Sequence, residues 1–170
     1  MGSLKEFKDK MAVSIGDEWE RIPDIDLYMD QVISYMERQH MGLGPEGGES
    51  LTSSMINNYI KHGLLPRAKG KRYDREHIGY LSAICLLKQV LTVNETGILL
   101  KNEMENRDIE SFYKEYRELT GETYAKTAES LNCTGSKEEL ADQALKLAVS
   151  GYAQILACKK ILEEIEEEKE

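Results

Sequence analysis

Apolar residues recur at intervals of three or four along most of this chain, and this spacing predicts a mainly α-helical protein. The first strong stripe lies in IPDIDLYMDQVISYMERQH, where Pro23 and Asp24 are suited to open a helix. The apolar positions of that helix are Ile25, Tyr28, Met29, Val32, Ile33 and Met36. The glycines and the proline between His40 and Ser50 then predict a mobile loop.

A shorter helix with a polar outer face is predicted after this loop, over residues 52–62. Thr52 is a good N-cap residue, and Gly63 suits the position just beyond a helix end. The side chains expected to face inward are those of Met55, Ile56, Tyr59 and Ile60. Those expected to face outward are Ser53, Ser54, Asn57, Asn58 and Lys61. The next run, PRAKGKRYD, predicts a tight hairpin or wing over residues 66–73.

Asp74 is expected to cap a third helix that runs through Val90. Capping boxes, in which a Thr or Ser precedes a Glu by three residues, predict two more helix starts: Thr92 with Glu95, and Ser136 with Glu139. Between these boxes RDIESFYKEYREL is amphipathic, and a break is expected around Thr120 and Gly121. The helix that follows Ser136 is the longest predicted element.

This last helix carries apolar or small residues at alternating spacings of four and three, a heptad seam typical of paired helices. The seam consists of Ala144, Ala148, Gly151, Ile155, Cys158, Leu162 and Ile165. A second stripe lies beside it: Leu145, Val149, Tyr152 and Leu156. The seam predicts that the chain pairs with itself as a homodimer. The alternative, that all of these side chains form intramolecular core, stays open.

With 41% apolar and 31% charged residues, the composition is that of a globular protein rather than of a disordered or membrane protein. No apolar run approaches the roughly 18 residues that a membrane span needs, and the first residues lack the apolar core of a signal peptide. We therefore expect a cytoplasmic protein without a membrane partner. The three cysteines are widely spaced and form no CxxC pair, which predicts buried thiols rather than disulfides or a metal site.

The net charge of −9 is unevenly distributed along the chain. The segment Lys61–His77 holds six basic and two acidic residues, a local balance of +4 that leaves −13 for the rest. Since a basic surface is the usual electrostatic mark of nucleic-acid binding, this segment predicts contact with DNA. Two histidines, His62 and His77, flank the region and are expected to be surface or capping residues.

The order of a polar-faced helix, a Gly-Leu-Leu exit, a basic wing and an amphipathic helix closely resembles the DNA-binding domain of the MerR family of bacterial regulators. The resemblance covers residues 51 to about 100, and its most specific residues are Met55-Ile56-Asn57-Asn58-Tyr59, Gly63-Leu64-Leu65-Pro66 and Lys71-Arg72-Tyr73. The longer stretch Ile22–Leu100 is similar to an uncharacterised bacterial domain family related to MerR, in which the IPDIDLYMDQ opening recurs. The resemblance implies a MerR-like winged helix-turn-helix with a small β wing, followed by C-terminal helices.

On this resemblance the polar-faced helix is a recognition helix for double-stranded DNA. Asn57 and Asn58 are expected to read bases, because an Asn amide can bind adenine through two hydrogen bonds. Cations on the helix and wing are expected to bind phosphates: Lys61, Arg67, Lys69, Lys71 and Arg72. Hydroxyl groups at the helix start add phosphate contacts: Thr52, Ser53 and Ser54. The resemblance makes Tyr73 a packing residue that fixes the wing and that can also place its hydroxyl at a DNA phosphate.

The sequence thus predicts a DNA-binding domain over residues 1–104 and a helical dimerisation or regulatory region over 105–170. The predicted function is a sequence-specific transcription regulator that acts as a homodimer. The alternative is a helical interaction module that keeps the fold without binding DNA. Two differences from MerR relatives favour it: these relatives commonly carry an arginine where Ser54 stands, and they have a short turn in place of the loop 40–50. No phosphate loop, nucleophile elbow or HExxH motif is present, so neither an enzyme nor a cofactor is expected.

An unidentified small effector is a further expected partner. Aromatic residues in the region after residue 105 could line its pocket, or could equally be core: Phe112, Tyr113, Tyr116 and Tyr124.

Overall fold

The computed structural model describes residues 3–39 and 50–168. They form seven α-helices and one short 3₁₀ turn, Trp19–Arg21. The helices are α1 (Leu4–Val13), α2 (Met29–Gln39), α3 (Ser53–Lys61), α4 (Arg75–Leu87), α5 (Val93–Glu103), α6 (Ile109–Ser130) and α7 (Lys137–Glu167). The loop predicted between His40 and Ser50 lies outside the described residues, apart from its last position. Among the helices described, none is both long and apolar enough to cross a membrane.

The predicted winged helix-turn-helix with a β wing over residues 66–73 is wrong, because the described ranges contain no β-strand. Their antiparallel pairing is limited to two isolated bridges, Leu27 with Tyr73 and Lys69 with Arg72. Gly70 and Lys71, at φ 57° and 63°, form the two-residue turn that the second bridge closes. We call residues 66–73 the basic turn.

The hairpin around Gly70 and Lys71 does not extend into a sheet. Arg67 and Asp74 would form its next hydrogen-bonded pair, but the Arg67 carbonyl oxygen lies 3.3 Å from His77 Nε2 instead. On its other edge Tyr73 pairs with Leu27, through backbone hydrogen bonds of 2.8 and 2.9 Å. Asp74 already caps the next helix. The hairpin pairing therefore stops after a single bridge.

Three other predicted helix boundaries are wrong. The helix expected to run through Val90, α4, ends at Leu87. The helix expected to open at Pro23 and Asp24 begins at Met29, because the chain before it is extended where it pairs with Tyr73. The break expected around Thr120 and Gly121 is absent from α6, which runs unbroken over 22 residues. The Thr120 hydroxyl donates to the carbonyl one turn earlier, at 2.8 Å, so this polar side chain is satisfied within the helix.

The chain divides into two compact units. Unit 2, Ile15–Thr120, contains a continuous apolar core to which α2, α3, α4 and the first part of α6 contribute. Its most deeply buried apolar side chains are Ile22, Val32, Met36, Ile56, Ile78, Leu81 and Ile84. Unit 1 combines Met1–Ser14 with Gly121–Glu170. The domain boundary expected at 104/105 falls inside unit 2.

Candidate nucleic-acid interface

The helix α3 is fixed at both ends by local backbone interactions. Thr52 Oγ1 accepts a hydrogen bond from the Met55 N–H at 3.2 Å, which is the N-cap interaction that the sequence predicts. At the other end Gly63 has φ 75°, in the left-handed region that favours glycine. The Leu64 N–H then donates to the Tyr59 carbonyl at 2.9 Å. The helix therefore starts and stops where its caps place it.

One side of α3 is buried and the other faces solvent. Ile56 and Tyr59 are 0% and 3% exposed, and Met55 and Ile60 are half-buried against the same core. The polar side chains expected to face outward are all exposed: Ser53, Ser54, Asn57, Asn58 and Lys61. The helix thus presents a row of hydroxyl, amide and ammonium groups on a firmly anchored backbone, the geometry that a helix needs in order to contact base edges.

The cations near the basic turn differ in their surroundings. Lys69 Nζ lies 3.0 Å from Asp74 Oδ2, and the hydrogen bond to this carboxylate raises the pKa of Lys69. Lys61, Arg67 and Lys71 are exposed, and their side chains make no ion pair or hydrogen bond with the residues that the structure describes. These three cations can therefore bind an anion without first giving up a partner.

A further cation of the basic turn, Arg72, is held by a tyrosine. Its Nη2 donates to the Tyr28 hydroxyl at 2.8 Å, and its guanidinium carbon lies 4.6 Å from the centre of the Tyr28 ring. Both side chains remain exposed, Tyr28 by 50%. A cation–π contact at an exposed site contributes about 0.5–1 kcal/mol, so Tyr28 orients Arg72 without removing it from solvent. Sequence reasoning missed this contact because it counted Tyr28 among the apolar positions of the first predicted helix.

A buried histidine fastens the basic turn to α4. His77 is 2% exposed; its Nδ1 lies 2.7 Å from Asp74 Oδ1 and its Nε2 lies 3.3 Å from the Arg67 carbonyl oxygen. Its ring meets the buried Tyr73 ring edge-on at 5.3 Å between centroids. Partial burial raises the pKa of Asp74, but hydrogen bonds from Lys69 and His77 outweigh it and lower that pKa to about 2. Both ends of the turn are therefore fixed through one imidazole.

The sequence carries a partial signal for this histidine. His77 stands three residues after the helix cap Asp74, where a capping box usually has Glu, and its backbone N–H donates to Asp74 Oδ1 at 3.3 Å. The capping role that was expected as one alternative is thus present. Its burial was not predictable, because it depends on how the basic turn folds back over α4.

A groove of about 790 Å³ lies beside the end of α3 within unit 2. His62, Gly63 and Leu64 line it together with Tyr80 and the side of α5 between Thr92 and Met104. The aromatic region suggested for an effector is different: Phe112 and Tyr113 are buried core residues, and the Tyr113 hydroxyl donates to the Asp17 carbonyl at 2.6 Å.

The residues of the predicted heptad seam on α7 lie in unlike surroundings. Three of them, Ala144, Ala148 and Gly151, are exposed. Leu162 is buried, and the remaining members are half-buried within the chain: Ile155, Cys158 and Ile165. The neighbouring stripe that starts at Leu145 is exposed along its whole length. The C-terminal half of the seam thus packs on its own chain.

A family model described as a domain of unknown function, DUF1836, matches residues 17–116. The match covers more than half of the chain and lies within unit 2, including α2, α3, the basic turn, α4 and α5. Comparisons with curated proteins and with solved structures gave no match. The description of this family model does not connect it with MerR-like regulators. It supports the broader expectation that the chain contains a domain from a family without an assigned function. The chain therefore belongs to the DUF1836 family.

Proposed function

We propose that this protein is a sequence-specific, DNA-binding transcription regulator that acts as a homodimer in the cytoplasm, and that its reading helix is related to that of MerR-like regulators. One observation carries the proposal. The exposed polar face of α3 lies directly before the basic turn, and both are anchored on the core of unit 2.

The two parts supply the two kinds of contact that a DNA reader requires. Asn57 and Asn58 each offer an amide donor and acceptor, which can bind a base edge in the major groove. Arg67 and Lys71 offer unpaired charges for phosphates, which add affinity without sequence information. Because His77 fixes the turn, these charges are presented from a rigid backbone, which lowers the entropy lost on binding.

A second candidate is an interaction module that has kept this fold without DNA binding. The observation that favours it is that Lys69 and Arg72 already have partners within the chain. With a net charge of −9, the protein as a whole also repels polyanions.

Selection of binding sites from random DNA, followed by titration with labelled duplexes, tests the proposal. The double variant Asn57→Ala/Asn58→Ala should lose about 1–3 kcal/mol of binding free energy for each lost bidentate contact with the selected site. Its binding to random DNA at the same salt concentration should not change. The control is Asn94→Ala, an exposed asparagine on α5, which should keep the preference.

The phosphate contacts are tested separately with Lys71→Glu. This variant should weaken binding to every sequence alike and lower the salt slope by about 1. Lys126→Glu, on the exposed surface of α6, is the control of equal charge change. Wild-type protein that selects no sequence, even at low salt, refutes the proposal and leaves the interaction module.

A further inference from the structure

Unit 1 has too little core to account for its folded state as a single copy. Among its described residues, three apolar side chains are buried, Ala128, Leu131 and Leu162, in a unit of 64 residues. The helix α1 contributes no buried residue. Units below roughly 70–80 residues rarely hold together on a small core alone, and oligomerisation is one common source of the missing burial.

The uncovered surface is concentrated on α7. All residues from 144 to 154 are exposed, so about three turns of this helix are bare around their whole circumference. Four large side chains form a continuous apolar stripe that begins in this stretch and ends just beyond it, exposed by 49–67%: Leu145, Val149, Tyr152 and Leu156. Contiguous exposed apolar surface of this kind marks an interaction site.

The stripe is complementary to a reversed copy of itself. Its spacings of 4, 3 and 4 residues read the same in both directions, with a centre between Ser150 and Gly151. Two α7 helices packed antiparallel about this centre would place Leu145 against Leu156 of the second copy, and Val149 against Tyr152. A two-fold symmetric interface requires this kind of self-complementarity.

The charges beside the stripe favour the same arrangement. Asp142 and Lys160 are 18 residues apart, five helical turns, and therefore lie along one edge of α7. Within one chain Asp142 pairs with Lys146 at 2.6 Å, and Lys160 pairs with Glu164 at 2.9 Å. In an antiparallel pair Asp142 faces Lys160 of the second copy, which joins these two pairs into one network. A parallel pair would instead set like charges side by side, including the five glutamates of the segment Glu163–Glu168.

We propose that the stripe Leu145–Val149–Tyr152–Leu156 is the contact face for the antiparallel α7 of a second copy of this chain. This assignment rests on the homodimer of the proposed function and does not depend on DNA binding. It differs from the heptad seam, whose C-terminal members are already covered within one chain.

Sedimentation equilibrium of the full chain tests the face. Val149→Glu places a charge in the centre of the stripe and should raise the dimer dissociation constant at least about tenfold. The control Ser150→Glu adds the same charge one residue along, on the side of α7 that faces away from the stripe, and should leave the dissociation constant unchanged. Circular dichroism checks that both variants stay helical.

Cross-linking tests the direction without disturbing the fold. In Leu145→Cys/Leu156→Cys, mild oxidation should join position 145 of one copy to position 156 of the other, as identified by mass spectrometry of the linked peptides. Links of 145 to 145 would overturn the antiparallel arrangement. Equal dissociation constants for the two glutamate variants would overturn the face while the homodimer stands. A wild-type protein that is monomeric at every concentration overturns both, whatever its affinity for DNA.

Discussion

Replacing His77 with Ala should lower the free energy of unfolding of unit 2 by about 2–4.5 kcal/mol, although the residue lies outside the apolar core cluster. The imidazole nitrogen 2.7 Å from Asp74 Oδ1 makes a hydrogen bond to a charged group, which contributes about 1.5–3 kcal/mol. The edge-on contact with Tyr73 adds about 0.5–1.5 kcal/mol.

The assay is urea unfolding followed by the fluorescence of Trp19, which is the single tryptophan of the chain and is buried in unit 2. Hydrogen exchange at the Tyr73 amide, which donates to Leu27, should become faster in the same variant because the turn loses its anchor. His62→Ala, an exposed histidine at the end of α3, is the matched control and should change stability by less than about 0.5 kcal/mol. A loss below about 1 kcal/mol for His77→Ala, with unchanged exchange at Tyr73, would refute the role of His77 as the anchor.

Asp74 should contribute to the acid stability of unit 2. Its folded-state pKa of about 2 lies below its ordinary value of 3.8, so its stabilising effect is complete above about pH 4 and is lost as the pH falls towards 2. Asp74→Asn should remove this part of the acid-unfolding curve, measured by the fluorescence of Trp19. An unchanged curve would contradict the contribution of Asp74. Two glycine replacements should change stability in opposite directions, as measured by thermal melting. Gly63→Ala should lower the free energy of unfolding by about 1–2 kcal/mol, because residue 63 has a φ of 75°. Gly151→Ala should raise it by up to about 1 kcal/mol, because Gly151 is helical and has open space around the added carbon. Equal effects of the two replacements would contradict the left-handed helix end at Gly63.

The sequence predicts well those features that depend on a few neighbouring residues. The capping boxes at Thr92 and Ser136 form the hydrogen bonds expected of them, and the apolar spacing in α3 gives its buried side. In each of these cases the interacting groups are three or four residues apart. Their geometry is fixed by the helix itself, so no knowledge of the tertiary structure is needed.

Features that depend on distant segments were mispredicted or missed. The β wing was expected from Gly70 among basic residues, but Tyr73 finds its partner in Leu27, more than forty positions earlier. The same pairing keeps the chain before Met29 extended and leaves Tyr28 beside Arg72. Of the candidate interface, the outward face of α3 could be predicted. The anchoring of the basic turn by His77 could not, because it requires three segments to be in place.

Unit 1 combines two segments that are far apart in the sequence, so its first part is synthesised well before the part with which it packs. Lys8, in α1, donates to the carbonyl of Leu131 at 2.8 Å, across 123 positions of the sequence. At a synthesis rate of about 5–20 residues per second, the ribosome needs roughly 6–25 s to travel that distance. All of unit 2 is translated during this interval and can fold while α1 still waits for the segment that follows α6. The helix α1 is therefore made before unit 2 but reaches its native contact only after unit 2 has been translated.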